Sequence, residues 1–118
     1  MDGTLYSRIG GATAVTTAVD ALYRAVLGDP RLAGFFAEVD LDGLKRHMGA
    51  LLSQTLGGPA DYTGRELRAA HDGLHIGADD YALVGAYLIG VLAALQAGDD
   101  VLREVRGILG AVEADVVE

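Results

Sequence analysis

The chain has 118 residues and no cysteine. Disulfides, thiolate metal sites and cysteine nucleophiles are therefore excluded, and the composition fits a reducing cytoplasm. Basic residues are scarce, nine against 17 acidic ones, for a formal net charge of −8. Nucleic acid and anionic membrane surfaces both call for a cationic footprint, so neither is an expected partner. The acids are spread along the chain, as a solvated surface requires. No apolar run approaches the length that spans a bilayer, and no basic start followed by an apolar run marks a signal peptide. P-loop, GxGxxG, GxSxG and HExxH signatures are absent, and no stretch alternates at period two.

What is present is helical periodicity in a chain that is 51% hydrophobic, enough for a single packed domain over residues 1–118. Val15, Val19, Leu22, Tyr23, Val26 and Leu27 line one face of a helix expected between Gly10-Gly11 and Gly28. Asp29-Pro30 restarts a short helical turn that ends in Phe35-Phe36, the only phenylalanines. Asp40 can cap a helix striped by Leu44, Met48, Leu51 and Leu52, with Gly57-Gly58-Pro59 closing it. Thr63 and Glu66 have capping-box spacing and open a short helix carrying Leu67, Ala70 and His71. Two longer helices follow, striped by Tyr81, Val84, Tyr87 or Leu88, Val91, Leu92 and Leu95, then by Val101, Val105, Ile108 or Leu109 and Val112. The expected class is all-α, with four substantial helices and two or three short ones.

Asp79-Asp80 and Asp99-Asp100 are paired carboxylates, but each pair stands at a helix start, where capping and the helix dipole account for it. His71 and His75 are four apart, a metal-gripping spacing on an unbroken helix. Gly73 falls between them and predicts a helix end, which leaves His75 as a loop residue. His71 lies in line with Leu67, and His47 lies along the Leu44–Leu51 stripe beside Lys45, the only lysine, and Arg46. Stripe histidines are ordinarily core residues with a satisfied hydrogen bond, yet two on different helices favour a shared site. Zinc asks for three or four ligands, which this chain lacks at suitable spacing. A cofactor bringing four donors of its own needs one or two, and haem also asks for an apolar slot between helices.

Several ordered markers carry a family resemblance. Gly10-Gly11 precedes a helix containing Leu22-Tyr23, and Asp29-Pro30-Arg31-Leu32 leads into Phe35-Phe36. Leu56-Gly57-Gly58-Pro59 follows the next helix, and Tyr62-Thr63-Gly64-Arg65 leads to Ala70-His71. In this order, from about Leu5 to about Val116, the sequence resembles the truncated haemoglobins, closest to group I. The resemblance implies a truncated globin fold, a two-over-two helical sandwich enclosing haem b. It implies His71 as proximal iron ligand, Phe36 flat on the haem, and Tyr23 as the distal hydroxyl that hydrogen-bonds the bound gas. His47 falls where some group I members carry a distal histidine that binds iron, and Lys45 can pair with a propionate. Leu44, Met48, Leu51, Leu52, Tyr62, Leu67, Ile76, Tyr81 and Val84 complete the implied haem contacts. Without cysteine, a c-type linkage is excluded and the haem is expected to be held non-covalently.

The sequence departs from the family where group I members usually place glutamine, at Leu44 and Met48. Neither side chain donates a hydrogen bond, so the implied distal network shrinks to Tyr23 and His47. Three functions are weighed: reversible binding of O2, NO or CO; an enzyme using the same haem for NO dioxygenation or peroxide-dependent oxidation, with a separate reductase; and a globin-fold sensing or interaction module.

Overall fold

A computed structural model of the chain describes residues 3–37, 39–60, 68–69 and 76–117. Thr4 opens the first element, its hydroxyl accepting from the Ser7 amide at 3.1 Å, and α1 spans Leu5–Ile9. Next, α2 spans Gly11–Leu27 and buries Val15, Ala18, Val19, Leu22, Tyr23 and Val26, the face its periodicity predicts. A turn at residues 29–32 leads into a 3-10 helix, Ala33–Phe36. Helix α3, Leu41–Thr55, starts under the expected cap: the Asp40 carboxylate accepts from the Gly43 amide at 3.0 Å. It closes at Gly57, whose φ of 87° is a conformation that glycine adopts without a Cβ penalty.

Two long helices complete the chain. The first, α4, spans Ala78–Ala94, and α5 spans Asp99–Val116. Asp79-Asp80 and Asp99-Asp100 fall in their first turns, where negative charge offsets the helix dipole as the sequence predicts. No strand occurs among the described residues, and no helix of theirs is long and apolar enough to cross a membrane. The expected all-α class is the one observed. The short helix expected from Thr63, the break at Gly73, and with them Tyr62, Leu67, His71 and His75, lie outside the described residues.

The long helices form a closed circuit in which α2 packs on α3 and α4, α4 on α5, and α5 on α3. Leu22, Val26, Leu88, Val101 and Val105 sit at the seams, each at most 1% exposed. Burial at that level is worth about 1.5–3 kcal/mol for each large side chain relative to exposure, which makes this seam the main source of stability. Short α1 is tied down separately. The Tyr6 amide donates to the Leu56 carbonyl at 2.9 Å, and the Tyr6 ring lies so close to Gly58 that a Cβ there would come within 2.5 Å of it. A second, smaller cluster of Leu51, Ile76 and Val116 packs with Phe35, Ala50, Tyr81, Ile108 and Val112 where α3 faces α5. Between the two clusters lies a crevice.

Candidate functional site

Helix α2 carries Tyr23 into the crevice at 5% exposure, because residue 23 falls one turn after the buried Val19. The 3-10 helix brings Phe36 to meet it. Their ring centroids are 5.9 Å apart at 86°, the edge-to-face geometry that aromatic quadrupoles favour. From α3 come Met48 and Leu51, and from α4 come Tyr81, Val84, Gly85 and Leu88. Leu109, Val112 and Val116 of α5 close the back, with Ile76 at one edge. The crevice encloses about 610 Å3 of atom-free space, its mouth included, but only about 60 Å3 admits the centre of a water molecule. It is narrow and apolar.

None of the described lining side chains is charged. The polar groups there are the two tyrosine hydroxyls. That of Tyr81 donates to the Leu109 carbonyl. Burial, with the negative charge of Glu113 adding to it, pushes the Tyr81 phenol up to about 12, so it stays a neutral donor at physiological pH.

The other end of the 29–36 segment is polar. Asp29 is 5% exposed. Its carboxylate accepts from Arg31 Nε at 3.1 Å, Arg31 Nη2 at 2.8 Å and the Arg31 amide at 2.9 Å. The Tyr87 hydroxyl of α4 donates to the same carboxylate at 2.7 Å. The Arg31 guanidinium first, then the Tyr87 hydroxyl and the Arg31 amide, hold the Asp29 carboxyl well below the usual range. The charge partner in turn raises both Arg31 and Tyr87. Asp29-Pro30 was expected only to cap a turn. The tertiary bond to Tyr87 had no local signal, since residues 29 and 87 meet only in the fold.

Of the site residues expected from sequence, Tyr23, Phe36, Met48, Leu51, Ile76, Tyr81 and Val84 come together at the crevice. Leu44 and Leu52 do not; they pack into the core shared with α2, at 5% and 2% exposure. The apolar arc of α3 is wide enough to serve two neighbours, and only Met48 and Leu51 face the crevice. Lys45 is also elsewhere. Its Nζ lies 3.3 Å from Asp20 Oδ1, in a separate groove between α2 and α3 that Arg46 shares. His47 is half-buried on α3, one residue before Met48, and is not part of the described crevice lining. Tyr62, Leu67 and His71 fall outside the described residues. Sequence reading missed Gly85, Leu88, Leu109, Val112 and Val116 as lining. Most sat on recognised apolar stripes, but periodicity gives no sign that α5 forms a wall of the site.

Known proteins show the family of the chain. The bacterial-like globin family matches residues 4–108. A group 1 truncated haemoglobin of Synechocystis sp. is 37% identical over 112 residues, covering 92% of this chain and 90% of its own length. The chain belongs to the group 1 truncated haemoglobins. Solved structures agree. Truncated haemoglobin from Tetrahymena pyriformis in its Fe(III) form superimposes with a TM-score of 0.83 at 29% identity, covering 97% of each chain. The 2/2 haemoglobin from Synechococcus sp., in the cyanomet state with covalently attached haem, gives 0.85 at 30% identity and 98% of each chain. The two-over-two helical sandwich of this family is the closed circuit of α2 to α5.

Haem is the group that membership implies, and the described lining suits it. Uncharged aromatic and branched side chains match the faces of a macrocycle, and Tyr23 places one phenol at the wall. Cations for propionates are not found on that lining, since Lys45 is engaged by Asp20.

Proposed function

We propose that this truncated haemoglobin, acting as one domain over residues 1–118, holds haem b non-covalently in the crevice and binds O2, NO or CO there. The observation that carries the reading is the meeting of Tyr23 with Phe36 in a slot between helices whose described lining is uncharged, in a chain of this family. Haem, when bound, supplies the iron that coordinates the gas. The chain's own residues do the rest. His71 would provide the proximal nitrogen, and Tyr62 and Leu67 are proposed as further haem contacts. Phe36, Met48, Leu51, Ile76 and Val84 exclude water from the macrocycle, which strengthens every polar contact inside. Tyr23 donates a hydrogen bond toward negative charge on the outer atom of the gas. A thioether at Met48 adds no donor, so Tyr23 carries most of the discrimination between O2 and CO.

His47 is proposed as a second residue that would hold the haem in the absence of gas. Residue 47 lies next to Met48 of the lining. Were His47 to bind the haem, apparent gas affinity would fall with the fraction so bound. Sharp, split visible bands in the deoxygenated ferrous protein, lost in His47→Ala, are the expected result. A broad high-spin ferrous spectrum in the unmodified protein contradicts it and leaves His47 as a gate. Sustained NO oxidation needs an electron donor, so a separate reductase is the proposed partner for that use. The cytoplasm is the proposed compartment, in keeping with the absence of cysteine.

Titration with haem tests the function directly. One equivalent should give a saturating Soret band that shifts on reduction and again on adding CO. A chain that leaves haem spectroscopically free in buffer overturns the reading.

A further inference from the structure

The longest stretch of the chain without a charged residue runs along α4. From Tyr81 to Gly98 no residue is charged, in a chain whose net charge is −8. Ala82, Ala86, Gly90 and Ala94 recur at every fourth position, and all four are exposed. Shallow apolar grooves flank this low ridge. One, of about 580 Å3, runs between α4 and α5, with Ile89 and Leu109 in its walls. The other, of about 410 Å3, lies against Leu83, Tyr87 and Val91. Both are open to solvent, so their shape suits a flat protein surface better than a small molecule.

Charge at the rim indicates the occupant. Arg106 and Glu113 border the larger groove from α5, and neither forms an ion pair among the described residues. Seven residues apart on one helix, they share a face and stand about 10 Å apart along the axis. Gly110, also at this groove, lies between them and allows close approach of a second backbone. A surface with a cation on one side of a small-residue centre and an anion on the other is complementary to itself after a half-turn.

We propose that the outer face of α4 and the adjoining edge of α5 form the contact between two copies of this chain, about a two-fold axis near Gly110 that pairs Arg106 of each copy with Glu113 of the other. Two bodies of net charge −8 repel, and this face lets them meet where repulsion is least. The face is about 25 Å long and about 20 Å wide, from the helix rise and the spacing of packed helices. That is roughly 500 Å2 per copy, at the low end of specific interfaces, so the dimer should be concentration-dependent.

Sedimentation velocity of the haem-loaded chain over a dilution series tests this, with circular dichroism as a check on folding. The 12.2 kDa chain should pass from monomer to dimer with a dissociation constant on the order of 100 µM or tighter. Arg106→Glu and Glu113→Arg should each raise that constant about tenfold or more, and the double exchange should restore it to within about threefold. Ala86→Arg, at an exposed position, should abolish association without relying on the charge pair. A chain that stays monomeric to roughly 1 mM, a dimer that survives Ala86→Arg, or a folded double exchange that fails to re-associate overturns the proposal.

Discussion

The eight residues from Asp29 to Phe36 begin in one kind of environment and end in another. At the start, a buried carboxylate is held by Arg31 and by the Tyr87 hydroxyl of α4. At the end, Phe36 meets Tyr23 through ring edges in a crevice whose described lining has no charge. Each end uses a tyrosine, but to opposite purposes. Tyr87 spends its hydroxyl on a protein carboxylate and thereby fixes the segment to α4. Tyr23 stands where a ligand is proposed to bind. The polar end positions the segment, and the aromatic end is where the function is proposed to lie.

Substitutions can break that contrast. The largest effect is expected at the aromatic end: Tyr23→Phe removes one hydrogen bond to a partly negative ligand atom, worth about 1.5–3 kcal/mol. Oxygen dissociation, followed by stopped flow, should accelerate about tenfold or more, with CO dissociation nearly unchanged. An oxygen off-rate within a factor of two would leave Tyr23 as packing only. At the polar end the pattern inverts. Tyr87→Phe should lower Tm on the order of 5 °C by thermal denaturation, since it strands part of a buried carboxylate's hydrogen bonding. Its oxygen off-rate should stay close to that of the unmodified protein. A large off-rate change without loss of stability would reverse the assignment of roles.

The smallest effect is one of pH. Folding holds the Asp29 carboxyl below its ordinary value, so the folded state favours its ionised form. The stability this provides is complete above about pH 4 and disappears as pH falls further toward the folded-state value. Arg31→Ala removes the largest cause of that shift, so the variant should show a shallower loss of stability below pH 4 than the unmodified protein. Parallel acid-unfolding curves for the two would show that Asp29 contributes little.

This contrast also marks how far the sequence could be read. Local patterns were enough for α2, where the Val15–Val26 stripe is the buried face, and for α3, where Asp40 caps as its position predicts. Motif order placed Tyr23 and Phe36 together, although they are 13 residues apart and on different elements. Leu44, Lys45 and Leu52 show the limit. Periodicity says that a helix face is apolar, but it does not say which neighbour each side chain of a wide arc will meet. The Asp29–Tyr87 bond and the α5 wall were illegible for the same reason. Both depend on which helices become adjacent, and that is settled by the packed core as a whole.

The central claim is that His71 holds a haem in this crevice. Absorption spectra of the ferric, ferrous and ferrous-CO states of the unmodified chain and of His71→Ala test it most directly. The account predicts full haem occupancy in the first and its loss, or a greatly weakened affinity, in the second. Equal affinity with an identical ferrous spectrum in His71→Ala would contradict it.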